Sequence, residues 1–327
     1  MVKSTLDLSY SELNSLLDDL LKKGGFPSVI NYSESQINYI RKNKFPILIK
    51  ALCRVFKAQI FYMRYIKKRI SKLKILKNEY NAFRTTKSLK NLRTYFYLSK
   101  AGLTDLIKQI GGRFDDKIFS NFNIGTMLYD ASFDIPVCKK YLKDFDKIIM
   151  EEKWNESYNE YLSLFKECVD YIEYKIGKDA FEKFRNLIKI EHVCQLMSIY
   201  QHSDKSISKE DLMKITFAKG GISGLAVIFI MAPNMDEKTQ KSIYELGAVL
   251  QLIDDISDID EDLEIGIKTL PNQKLISYKE LKELYFGTVN NLIDKLEIDP
   301  KKPNSTLDML CWFTDLMLEK RFSKFSD

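Results

Sequence analysis

The chain has 327 residues, of which 45% are hydrophobic and 29% charged, with a formal net charge of +6. That balance describes a globular protein, long enough for one large domain or two small ones. Its five cysteines (Cys53, Cys138, Cys168, Cys194, Cys311) are odd in number and lack CxxC spacing, which excludes a disulfide framework and suits free thiols. The opening MVKSTLDLSYSEL has no basic-then-apolar signal pattern, and the longest apolar run, GLAVIFIMA at 224–232, is too short to span a bilayer. A soluble cytoplasmic protein is expected.

Taken in chain order, SYSELNSLLDDLLKK has apolar residues at helical spacing and stops at Gly24-Gly25. Residues 41–100 hold 18 Lys and Arg against the single acid Glu79, a window charge of 18 − 1 = +17 that leaves 6 − 17 = −11 for the rest. Such a block is either a solvated helical face or a peripheral surface for anionic membrane. Aromatic residues are interleaved, but no RNP, KH, zinc-finger or helix-turn-helix signature accompanies them, so no nucleic acid is expected.

Further along, GGRFDDKIF places Asp115-Asp116 beside turn-forming glycines, the pattern of a helix start, with a rival first acidic motif as the alternative. In NIGTMLYDASFDIP, Asp130 and Asp134 share one helix face at i,i+4, and Pro136 stops or kinks the helix. SYNEYLSLFKECVDYIEYKIG (157–177) is a long helix ended by glycine. Ser208 with Asp211 is a capping box that opens LMKITFAKGGISGLAVIFIM. Pro233, Asn234 and Asp236 then break the chain and start a helix that is expected to run to about Glu264. YKELKELYFGTVNNLIDKL and STLDMLCWFTDLMLEKRF close the chain as two more. Without period-2 strands, repeats or a clear linker, the expectation is a single all-α domain, a helical bundle spanning 1–327.

The stretch LGAVLQLIDDISDIDEDLEIGIKTLP (246–271) carries seven acids between Asp254 and Glu264, with no Lys or Arg before Lys268. On a helical wheel Asp254, Asp255, Asp258, Glu261 and Asp262 fall within an arc of about 120°. Gln251, Gly247 and Tyr244 continue that stripe toward the N-terminus, while Leu252, Ile256, Ile259 and Leu263 form the apolar side. Like charges at i,i+4 cost a few tenths of a kcal/mol per pair, and the C-terminal half of a helix is unfavourable for anions. A solvated acidic face is one reading. The other is that Gly247 and Gln251 keep the surface narrow for something to approach. Two carboxylate pairs at helix ends, with hard oxygen donors and no His or Cys, suit Mg²⁺, which bridges carboxylates to phosphate oxygens.

LGAVLQLIDDISDIDED followed by GIKTLP resembles the second aspartate-rich helix of class I isoprenoid (terpene) synthases. The resemblance is closest to the squalene/phytoene synthase-like branch and the class IB bacterial terpene synthases. The shared positions are Leu246-Gly247, Leu250-Gln251, Asp254, Asp258, Glu261-Asp262, Gly266 and Leu270-Pro271, and DASFD resembles the branch's first DxxxD. It covers about 120–271. It implies a class I isoprenoid synthase bundle that binds Mg²⁺, three ions in all, through Asp130, Asp134, Asp254, Asp258 and Asp262. The implied substrate is a linear prenyl diphosphate, and Asp130, Asp134 and Asp258 are the implied catalytic carboxylates. Gln251, Lys219 at AKGG, where the glycines suggest a helix break, Lys268, and Arg321 in the C-terminal KRF are the candidates for diphosphate binding. Tyr129, Phe133, Phe165, Phe217 and Tyr244 are candidates for an aromatic pocket that would shield a carbocation.

The first motif lacks the twin aspartates of head-to-tail prenyltransferases, and the Arg-rich spacing that head-to-head synthases carry after it is not seen. A cyclase is therefore the leading expectation. A prenyl-chain condensing enzyme is the alternative within the superfamily, and a non-catalytic helical binding protein the alternative outside it.

Overall fold

The computed structural model describes residues 4–30, 102–134, 136–154, 159–202 and 207–298, without the side chains of 134, 136, 137 and 257. Among the described residues every regular element is helical and no strand occurs, so the fold is all-α. The helices in chain order are α1 (Tyr10–Gly24), α2 (102–109), α3 (Asp116–Asp134), α4 (Leu142–Met150) and α5 (Glu160–Ile176). They continue as α6 (Lys178–Ser198), α7 (Lys209–Phe229), α8 (Glu237–Ser257), α9 (Ile259–Glu264) and α10 (Tyr278–Lys295). The window 41–100 and the final helix expected over STLDMLCWFTDLMLEKRF, with Arg321, lie outside the described residues.

Local chemistry sets most helix ends. Ser9 and Glu12 form a reciprocal capping box at the start of α1, and Gly25, at φ 72°, ends it in the left-handed conformation that glycine adopts without strain. Ser277 and Glu280 repeat the box at α10. Asp236 caps α8 by accepting the Thr239 N–H at 2.6 Å, and Ser208 Oγ accepts the Asp211 N–H at 3.0 Å at the mouth of α7. Asp115 Oδ1 accepts the N–H groups of Lys117 and Ile118 at 2.8 and 3.0 Å. The Asp115-Asp116 pair is thus the start of α3.

The chain divides into two compact units, one of Met1–Lys42, Arg185–Phe229 and Met235–Asp327, the other of Asn43–Phe184 and Ile230–Asn234. In the first unit α7 and α8 make the most extensive helix contact, and α8 also packs on α10. Asn291 Nδ2 donates to Glu245 Oε2 at 2.7 Å across that second contact. Although the run at 224–232 is short, α7 as a whole is 21 residues long and apolar enough to cross a membrane. Of its apolar window 72% is buried within the protein, the pattern of a core helix. In the second unit α3 packs on α5, with the Phe165 ring 3.6 Å from where a Cβ on Gly125 would stand.

Candidate functional site: a carboxylate stripe and an aromatic-backed aspartate

The acidic stretch departs from the unbroken helix expected of it. α8 ends at Ser257, Asp258 adopts φ −105° and ψ 8°, and α9 resumes at Ile259. The hydrogen-bond ladder nevertheless runs through the break, since the Asp258 N–H donates to Asp254 O at 3.1 Å and the Asp262 N–H to Asp258 O at 2.8 Å. The acids therefore stay on one side. Asp254 is exposed, while Asp255, Asp258, Glu261 and Asp262 are half-buried. Leu252, Ile256 and Ile259 are buried as expected, but Leu263 is 54% exposed, because the last turn of α9 has outrun the core. Gly266 at φ 75° then turns the chain. The Ile267 N–H donates to Asp262 O at 2.8 Å and the Gly266 N–H to Leu263 O at 3.3 Å, a Schellman closure that gives Gly266 its local purpose.

What approaches the glycine end of the stripe is a neighbouring helix. A Cβ on Gly220 of α7 would meet Gly247 O at 2.7 Å and crowd the Gln251 side chain. One on Gly247 would crowd Gly220 O, and one on Gly221 would lie 2.5 Å from the Tyr244 ring. Gly220, Gly221 and Gly247 thus let two backbones meet, and the narrow surface expected for a ligand is filled by α7. Nor does AKGG break its helix, because α7 runs on to Phe229. The extensive burial of α7 offsets the propensity cost of two adjacent glycines.

This close crossing brings Lys219 beside the acidic stripe. Asp255 is the carboxyl most altered by its surroundings: burial pushes it up to about 7, the charges of Asp254 and Asp262 push the same way, and the Gln251 hydrogen bond and the Lys219 charge oppose them. Gln251 Nε2 donates to Asp255 Oδ1 at 3.0 Å and stands 3.5 Å from Asp254 Oδ2. Gln251, expected to bind diphosphate, is thus engaged with the acid pair. Lys219 also acts on Cys194, whose thiol burial raises strongly, followed by Glu191. Neither Asp255 as a distinct group nor Cys194 was expected in the site; the DD pair is visible in the sequence, but the partial burial of Asp255 and the charge of Lys219 beside it are not.

The first motif lies in the other unit. Asp130 is half-buried on α3 and Asp134 is that helix's last residue. Tyr129 meets Phe133 at 5.2 Å and Phe145 at 5.5 Å between ring centroids, and Phe145 meets Phe165 at 4.8 Å, each edge-on. Three of the five proposed pocket aromatics, Tyr129, Phe133 and Phe165, therefore belong to one cluster on and against α3, the helix that carries Asp130. Tyr161, which sequence reasoning did not single out, joins it: its ring stacks on Tyr141 at 4.6 Å and its hydroxyl donates to Leu128 O.

The remaining candidates are placed as follows. Phe217 is fully buried. Tyr244 is fully buried too, stacked on Phe26 at 5.0 Å with its hydroxyl donating to Pro27 O at 2.8 Å. Lys268 is half-buried, its N–H donating to Gln201 O at 3.1 Å while Gln201 Nε2 donates back to Lys268 O at 2.9 Å.

Among the described residues no three His, Cys, Asp or Glu side chains converge as a ready-made metal site. The donor set still fits magnesium. It consists of carboxylate oxygens on a partly exposed row, and Mg²⁺ keeps most of its waters and takes only one or two carboxylates directly. Comparison with family models, with curated proteins and with solved structures finds no match.

Proposed function

We propose that the chain is a Mg²⁺-dependent class I terpene synthase that ionises a linear prenyl diphosphate and cyclises the resulting carbocation. The observation that supports this best is the carboxylate row in which Asp255, Asp258 and Asp262 are drawn into partial burial next to the exposed Asp254, with the cationic Lys219 beside Asp255. A merely solvated acidic face has no reason to bury a carboxyl among like charges, whereas a surface that receives a divalent cation does.

In this reading Asp254, Asp258 and Asp262 hold Mg²⁺ through carboxylate oxygens, and Asp130 and Asp134, in the other unit, are the candidate ligands of the first motif. Bound magnesium would neutralise the diphosphate and so make it a better leaving group. Lys219 and Lys268 are the candidates to supply positive charge to the same anion, with Arg321 a further candidate outside the described residues, and Gln251 holds Asp255 in place. Tyr129, Phe133 and Phe165 supply apolar surface that excludes water, and a ring whose face meets the carbocation would favour it by about 0.5–2 kcal/mol. A membrane contact through the basic window 41–100 fits substrates and products that partition into lipid.

The deciding experiment incubates the protein separately with geranyl, farnesyl, geranylgeranyl and longer diphosphates in the presence of Mg²⁺ and identifies the organic-soluble products. A cyclic product from one substrate alone is expected. Product that forms only with added isopentenyl diphosphate, or only as a head-to-head dimer, would assign a condensing enzyme instead. No product from any combination would leave a binding protein.

A further inference from the structure

Tyr161 stands at the start of α5, its N–H accepted by the N-cap Asn159 Oδ1 at 3.0 Å. Its side chain is almost wholly buried at 1% exposure. The hydroxyl reaches across to α3 and donates to the carbonyl of Leu128, 33 residues away. That carbonyl sits within the helix, two residues before Asp130. The neighbouring carbonyl, Tyr129 O, receives a second side-chain donor, Ser132 Oγ, at 2.6 Å. Two consecutive carbonyls immediately before the DASFD turn are thus tied by hydroxyls, and such extra donors bend a helix and fix its local course.

Helix α3 ends at Asp134 without a basic residue in its last turn to offset the carboxylates there. Asp130 lies close enough to be one of the charges raising the Tyr161 hydroxyl above the ordinary tyrosine range, after burial, Cys138 and Tyr141. The hydroxyl therefore stays protonated and remains a donor. Tyr141 and Phe145 hold its ring in place, the first by stacking at 4.6 Å and the second edge-on at 6.4 Å.

We propose that Tyr161 is a positioning residue: by holding the Leu128 carbonyl, its hydroxyl sets the turn of α3 that carries Asp130. The inference rests on the synthase reading above, because it is as a metal ligand that Asp130 needs a fixed direction. Groups that orient metal ligands from behind commonly change metal affinity without touching the ion.

The test is Tyr161→Phe in the full chain, followed by two readouts besides turnover. Amide exchange over residues 128–134 should speed up, while the melting temperature without metal stays within a few degrees of wild type. The Mg²⁺ concentration that gives half the thermal shift in the presence of inorganic diphosphate should rise about tenfold. Replacement of Tyr161 by 4-aminophenylalanine, which returns an N–H donor to the same place, should restore both. Ile172→Ala, which opens a cavity on the same helix about three turns from Tyr161, should lower the melting temperature and leave the Mg²⁺ midpoint unchanged.

A Tyr161→Phe midpoint equal to that of wild type, or an equal rise in Ile172→Ala, overturns the positioning role and leaves the synthase reading intact. A wild-type protein with no thermal response to Mg²⁺ and diphosphate overturns both.

Discussion

The side-chain amide of Gln251 donates to Asp255 Oδ1 at 3.0 Å, one helical turn further along α8. With Lys219 on α7, this bond is what opposes the cost of holding a carboxyl among Asp254 and Asp262. The compensation is partial, since Asp255 still titrates at about 7. A divalent cation on the row would complete it.

Mg²⁺ with inorganic diphosphate should therefore raise the melting temperature, because a ligand that binds only the folded state stabilises it by mass action, about 2.7 kcal/mol at a hundred times its Kd. Asp258→Asn and Asp130→Asn should each reduce turnover more than about a hundredfold while the far-ultraviolet circular dichroism stays that of a helical protein. If either variant turns over within a few-fold of wild type, that carboxylate is not a metal ligand.

Asp255 predicts a pH dependence of stability in the metal-free protein. Its folded value of about 7 lies above the ordinary 3.8. Between those values the unfolded chain has released a proton that the folded protein retains, so the contribution of this group to stability falls as pH rises. It levels off above about 7. Chemical denaturation of wild type and Asp255→Asn from pH 4 to pH 8 should show the variant gaining on wild type across this window. Parallel curves would mean that Asp255 is solvated.

The α7–α8 crossing should be intolerant of any side chain. Gly247→Ala sets a methyl against the Gly220 carbonyl, and Gly220→Ala sets one against Gly247 O and Gln251. Both neighbours are helix backbone that cannot turn aside, so each change should cost about 1–3 kcal/mol or more. Because Gly220 lies next to Lys219, its variant should also shift the titration of Asp255. Gly25→Ala, by contrast, meets no atom within 4 Å and is strained only by its φ of 72°. Melting temperatures in the reverse order would refute this account of the crossing.

The +17 charge of residues 41–100 follows from the sequence whatever structure that segment has. If it serves as a peripheral membrane surface, co-sedimentation with anionic vesicles should fall steeply between low and high salt. Each basic residue near such a surface contributes on the order of 1 kcal/mol. Equal recovery with neutral vesicles at any salt would count against it.

By itself, the sequence determined that the described chain is helical, where most of its helices begin and end, and which acids share a face. Ser9 with Glu12, Ser208, Asp236 and Ser277 act within a single turn of their own helix. Interactions confined to three or four residues can be read from spacing alone. The row from Asp254 to Asp262 was legible on the same ground, as was the pairing of Asp130 with Asp134 along α3.

Only the tertiary structure decided which helix lies against which. Gly247 looked like space for a ligand and is occupied by Gly220. Lys219 acts on Asp255, 36 residues away along the chain, and Tyr161 bonds Leu128 across 33. No periodicity encodes such partners, because they depend on how the burial of whole apolar faces sets helix crossings, and one tyrosine at a helix start looks like any other. The close approach that three glycines allow between α7 and α8 is decided in the same way, and it sets the charge of Lys219 beside Asp255.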